Sequence, residues 1–320
     1  MITEGWEQVF LPTGTEDEFM SILVVGSVGL DSIETPAGKV ENALGGSAIY
    51  FSTAASFFHD AIRLVAVIGD DFPQEHLDFL QTRGIDIEGL ERIKGGKTFR
   101  WGGNYTEDLN AVVTLFTDLN VYGDFEPKLP HTYRDAPYVF LANINPELQR
   151  NVIEQITQPK LAVCDTMNLW INNSRDALMQ TLEHVDILIL NDGEARLITG
   201  EANLIRAANQ ILTYGPDRVI VKKGEHGALS LTDSTFFATP AYPLEAVSDP
   251  TGAGDSFAGG FMGYLASVGD TSEGTIRKAI IYGTVIASFN VEDFSLNRQR
   301  TLTRSEIDER YRQLQETVAF

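Results

Sequence analysis

The run Ser248-Asp249-Pro250-Thr251-Gly252-Ala253-Gly254-Asp255-Ser256-Phe257 brings backbone freedom, a carboxylate and a helix start into one turn. Two glycines flanking an alanine let the chain bend tightly and aim successive N–H groups at one point, a nest that binds anions. Beyond it, Phe257, Phe261, Met262, Tyr264 and Leu265 are set among alanines and glycines, the pattern of a buried helix. A helix starting at the nest adds unpaired N–H groups and partial positive charge to the same point, which suits a phosphoryl group in transfer. Asp255 stands at that end. From spacing alone it reads equally as a helix cap or as a general base that takes a proton from an attacking hydroxyl.

Composition narrows the classes around this stretch. With 320 residues, 43% of them apolar, the chain can hold one large α/β domain or two smaller ones. Its longest apolar runs, such as Ile187 to Leu190 preceded by Val185, are strand-sized and broken by charges, so no membrane span is expected. The first residues, with Glu4, Glu7, Glu16, Asp17 and Glu18, lack the basic-then-apolar order of a signal peptide, and the expected location is cytoplasmic. Cys164 is the single cysteine and lies in an apolar run, so it reads as core packing, with no internal disulfide and no metal cluster. A formal net charge of −21 argues against nucleic acid as a partner, because phosphate neutralisation needs a basic surface. Arginine outnumbers lysine, which together with the acidic excess fits a salt-rich cytoplasm.

The run from Asp249 to Asp255 resembles the C-terminal signature of the PfkB carbohydrate kinases, the ribokinase-like family, with its closing aspartate in place. The resemblance extends from Ser21 to about Asp308 and implies an α/β fold. This is a ribokinase-like three-layer sandwich, a mainly parallel central sheet with a small β-sheet lid, in a single kinase domain over residues 1–320. Residues 1 to 20 carry no clear period and read as a loosely packed extension. Ser21 to Val28 is then a continuous apolar run ended by glycine, as in a buried parallel strand. Gly29-Leu30-Asp31 follows at the strand exit, the edge where open α/β sheets bind ligands, so Asp31 reads as a substrate-hydroxyl acceptor or as a turn aspartate. Gly45-Gly46 opens a helix from Ser47 to Phe58 and matches the double glycine that lines the sugar site in the family. Many relatives carry asparagine where this chain has Tyr50, which implies a substrate larger or flatter than ribose.

Ile62 to Ile68 reads as a second strand and Pro73 to Arg83 as a helix. Between Leu90 and Leu129 aromatic and polar residues alternate, as in half-exposed antiparallel strands. The resemblance makes residues 90–129, with a hairpin over 32–44, the lid that closes over the substrate. Trp101 and Tyr105 stack there on a sugar face or a base, or serve packing. Lys94, Lys97 and Arg100 read as a phosphosubstrate grip or as a solvated edge. Strand and helix then alternate from Pro137 to Lys222, the order of a parallel sheet covered on both faces.

Further motifs acquire roles from the same resemblance. Asn191 and Glu194 match the Asn-x-x-Glu element, in which Glu194 holds the waters of ATP-bound Mg²⁺ and Asn191 contacts phosphate. By spacing the two also form a capping box. Lys222, Gly224 and Gly227 resemble the nucleotide loop, with Lys222 replacing a common threonine and able to reach phosphate. Gly283 is placed where adenine approaches, and Asp165 and Asn168 near the phosphates. Asp249 and Thr251 are implied to flank a monovalent cation such as K⁺.

ATP and Mg²⁺ are thus the expected cofactors. Asp255 is the general base and also a substrate contact, and Gly252, Ala253 and Gly254 form the anion hole. An ATP-dependent sugar kinase is the reading, with a nucleoside kinase or a catalytically silent sensor on the same scaffold as alternatives. Free lid edges offer a homodimer contact.

Overall fold

The computed structural model describes residues 20–318, and the loosely packed, signal-free extension expected over the first residues lies outside the described residues except for Met20. The chain begins with β1 (Ile22–Val25), the hairpin β2 (Gly29–Thr35) and β3 (Gly38–Gly45), α1 (Ser47–Ala55), β4 (Ile62–Gly69) and α2 (Gln74–Thr82). Short strands β5 (Ile85–Asp86) and β6 (Leu90–Ile93) precede β7 (Phe99–Tyr105), β8 (Val112–Asp118) and β9 (Tyr138–Leu141). Strands and helices then alternate through α3 (Pro146–Gln155), β10 (Leu161–Asp165), α4 (Asn168–Asn173), α5 (Arg175–Leu182), β11 (Ile187–Asn191), α6 (Asp192–Thr199), α7 (Leu204–Leu212) and β12 (Arg218–Lys222). After β13 (Ala228–Leu231) and β14 (Phe236–Thr239) the chain ends in α8 (Ala253–Val268), α9 (Glu273–Asn290), α10 (Asn297–Thr301) and α11 (Arg304–Thr317).

The large sheet runs β14-β13-β12-β11-β10-β9-β1-β4-β5, with β6 also on β4. It is parallel except where β13 and β14 join. The continuous apolar strand sequences follow from burial on both faces. Ile22 and Val24 join a core cluster with α1 and α8, whereas Leu23 and Val25 join one with α3, α5, α6 and α7. Helix α8 is rich in small residues because backbones meet there: a Cβ on Gly259 would strike the Phe51 carbonyl of α1. That close packing fixes the N-terminus of α8 against the sheet. Among the described residues no helix is long and apolar enough to cross a membrane.

The lid is a separate four-stranded sheet, ordered β3-β2-β7-β8. Its limits differ from the expected segments. β1 stops at Val25, and Asp31 lies inside lid strand β2, so it is not a turn residue at the exit of the first strand. Leu90 to Ile93 pairs with β4 in the body, where Leu90 packs on the main core, so the second lid segment starts only at Phe99. Gly45 ends β3, and Gly46 alone, at φ 101°, caps α1.

Candidate active site

Gly252 adopts φ 74° and begins α8, and a Cβ there would collide with the Tyr50 ring. Both constraints demand glycine. Among the described residues the N–H groups of Gly252, Gly254 and Asp255 donate to no backbone carbonyl, and that of Asp255 interacts with its own carboxylate. Ala253 departs from the expected set, because its N–H closes a turn onto the Pro250 carbonyl at 3.2 Å. The N–H groups without a backbone-carbonyl partner at the start of α8 are therefore those of Gly252, Gly254 and Asp255.

Lys222 ends β12 with its Nζ beside this hole, 2.8 Å from where a Cβ on Gly254 would sit. Its Nζ is also 3.3 Å from Asp165 Oδ2, at the end of β10. Burial pulls the Lys222 pKa down, but the Asp165 charge and then Glu194 and Asp255 outweigh it and hold the ammonium above its ordinary value. The carboxylates respond in the opposite sense. Burial and then Asp165 raise Asp255 and Glu194, with Lys222 opposing. Asp31 is pushed up to about 7 by burial and by Asp249. Four sequence-distant elements, β10, α6, β12 and α8, thus bring Asp165, Glu194 and Asp255 together around the Lys222 ammonium.

Asn191 and Glu194 make both bonds of a capping box: Glu194 N–H donates to Asn191 Oδ1 at 2.8 Å, and Asn191 N–H donates to Glu194 Oε2 at 2.7 Å. Glu194 Oε1 is not part of this box. No group of three or more His, Cys, Asp or Glu among the described residues could hold a metal unaided. Mg²⁺ fits this donor set, since it keeps much of its water and takes one or two carboxylates beside substrate phosphates.

On the acceptor side, Asp31 and Trp101 are direct partners across the parallel β2–β7 pair, so both project from one face of the lid. A Cβ on Gly45 would overlap the buried Asp31 carboxylate, so the glycine makes room for this acid. The Trp101 indole lies along its strand over Gly103 and is half-buried. Tyr105 Oη accepts from Thr251 Oγ1 at 3.2 Å, and Asn110 Nδ2 donates to Glu225 Oε2 at 3.0 Å, so the lid touches both the anion loop and the nucleotide loop.

Several expected contacts fall elsewhere. Tyr50 is 1% exposed and its ring packs against Gly252 from beneath, so it forms the floor under the loop. Gly283 is buried between α8 and α9, where a Cβ would strike the Phe257 carbonyl, which leaves adenine no approach to it. Gly224, at φ 53°, remains in the exposed turn after β12, while Gly227 is required by the close Thr239 carbonyl. Asn168 is exposed at the start of α4. Arg100 is engaged by Asp71 at 3.0 Å, and Lys94 and Lys97 are exposed. Asp249 is fully buried, and its two oxygens accept the N–H groups of Thr251 at 2.8 Å and Ser295 at 2.9 Å, which clamps the loop. Asn290 and Gln299, the second of which sequence reading passes over, complete that clamp.

A parallel sheet with a detached lid, and a carboxylate beneath an open anion nest, define a ribokinase-like phosphotransferase for small hydroxyl compounds. The chain belongs to the pfkB family of carbohydrate kinases, whose profile matches residues 20–301. It is 33% identical over 248 residues to the cytidine kinase of Thermococcus kodakarensis, covering 76% of this chain and 87% of that one. It is 33% identical over 292 residues to the deoxyribokinase of Salmonella typhi, covering 85% and 92%. The fold matches the nucleoside kinase of Methanocaldococcus jannaschii with a TM-score of 0.73 at 22% identity, over 92% of this chain and 98% of that one. The protein is accordingly an ATP-dependent phosphotransferase acting on a hydroxyl group.

Proposed function

We propose that the acceptor is a nucleoside and that its ribose hydroxyl receives the γ-phosphoryl group of ATP. The observation that carries this is the pairing of Asp31 with Trp101 on one lid face, a carboxylate for sugar hydroxyls beside an indole for a flat base. The similarity to a cytidine kinase supports the same choice. A free sugar is the second reading, favoured by the equal identity to a deoxyribokinase over a longer stretch.

Asp255 takes the proton of the attacking hydroxyl, and the N–H groups of Gly252, Gly254 and Asp255 receive the phosphoryl oxygens. Lys222 shares the charge that builds on them and works against the burial and the Asp165 charge that raise the Asp255 pKa. Mg²⁺, when bound with ATP near Glu194, supplies further neutralisation. Asn191 and Gly224 lie on the nucleotide side of this cluster, and closure of the lid through Tyr105 and Asn110 excludes water. For a K⁺ ion beside Asp249 and Thr251, the donors are the remaining lone pairs of the buried Asp249 carboxylate and nearby loop carbonyls; exchange of K⁺ for Na⁺ in the assay tests it.

A second copy of the chain is proposed to pair along β8. Every residue of that edge strand is exposed, including Val113 at 59% and Leu115 at 57%. The acceptor is tested by ADP release with Mg·ATP against cytidine, other nucleosides, ribose and deoxyribose. Turnover confined to nucleosides supports the first reading, and turnover confined to free sugars replaces it with the second.

A further inference from the structure

The loop that presents the anion nest is held from behind by buried amides. Asn290, the last residue of α9, donates from Nδ2 to the Thr251 carbonyl at 2.8 Å. Its Oδ1 accepts from Ser256 Oγ at 3.1 Å and from Gln299 Nε2 at 2.8 Å. Gln299 Nε2 also donates to Ser256 Oγ at 2.8 Å, and all three residues are fully buried. Because both partners of Oδ1 are donors, the Asn290 amide is fixed with its nitrogen toward Thr251.

That orientation reaches the nest through one peptide unit. In a trans peptide the C=O and N–H point in opposite directions, so drawing the Thr251 carbonyl inward turns the Gly252 N–H outward. The αL conformation of Gly252 takes the Thr251 carbonyl out of the helix ladder, and the Asn290 amide supplies its partner. An inward-turned carbonyl without that donor would rotate to find another, carrying the Gly252 N–H with it.

We infer that Asn290 and Gln299 are positioning residues for phosphoryl transfer, aiming the Gly252 N–H at the phosphoryl oxygens without contacting either substrate. This rests on the kinase reading above. Two variants separate the role from simple stability. Asn290→Asp keeps the shape and replaces the donor by an acceptor, while Gln299→Met keeps the volume and removes the amide that orients Asn290.

Each is compared with wild type for kcat, acceptor KM, ATP KM and Tm. The expected result is a kcat about 10²-fold lower for Asn290→Asp, the scale of one lost oxyanion donor, and about 10-fold lower for Gln299→Met. Acceptor KM should stay within about twofold, because the lost interaction belongs to the transition state. Wild-type turnover in the same assay carries the kinase reading, so a Gln299→Met protein that folds and runs at full kcat overturns only the positioning role. A kcat loss that merely tracks a falling folded fraction, or a change in KM alone, overturns it as well.

Discussion

Lys222 Nζ and Asp165 Oδ2 lie 3.3 Å apart at the ends of β12 and β10, and this ion pair holds the Lys222 ammonium beside Gly254 at the start of α8. A cation there does two jobs that a threonine could not. It balances Asp165, Glu194 and Asp255, and in the proposed mechanism it also meets phosphate. Lys222→Met should lower kcat by about 10²-fold or more. It should also lower Tm more at pH 8 than at pH 6, since the unbalanced carboxylates recover by taking up protons. Steady-state kinetics and melting curves at both pH values check this; an unchanged kcat would remove Lys222 from the mechanism.

The raised carboxylates make a pH prediction with a definite sign. Asp31 is raised to about 7, and Glu194 and Asp255 are also raised above their ordinary values. Free carboxyls titrate near about 4. Between that value and neutrality the folded state holds more protons than the unfolded one, so these groups make stability fall as pH rises. Asp255→Asn should therefore melt a few degrees above wild type at pH 8, and the gap should shrink by pH 5. In the active enzyme the same shift puts the acidic limb of kcat/KM well above the usual carboxylate range.

Trp101 and Tyr50 should behave in opposite ways. Trp101→Ala should raise nucleoside KM by about 5–150-fold, the equivalent of about 1–3 kcal/mol of base stacking, and should affect a free sugar far less. Tyr50→Phe should leave acceptor KM unchanged, because the ring is floor beneath Gly252. A KM effect at Tyr50 and none at Trp101 would reverse the assignment of the cleft wall.

Exposed β8 gives a test of assembly. Leu115→Lys places a charge on its apolar edge and should shift sedimentation from dimer to monomer. A wild-type protein that sediments as a monomer contradicts the proposed contact.

Much of this architecture was legible in the residues because burial on both sheet faces writes continuous apolar strands, as in Ile22–Val25 and Ile187–Leu190. The anion nest was equally plain, since αL geometry and close approach leave little but glycine at Gly252. Direction was not. Whether Tyr50 faces substrate or floor, and whether Gly283 meets adenine or Phe257, depends on helix packing that no local period encodes. Asp31 sits in Gly29–Thr35, a mixed stretch whose strand character comes from pairing with both β3 and β7. Gln299 lies in the polar run Asn297–Thr301, where nothing local marks it as buried.

The central claim is that Asp255 removes the acceptor proton beneath the nest formed at the start of α8. It is tested most directly by comparing Asp255→Asn with wild type for ADP release and, separately, for Mg·ATP binding. The account predicts a kcat loss of at least about 10²-fold with ATP affinity retained. Full turnover in the variant would contradict it.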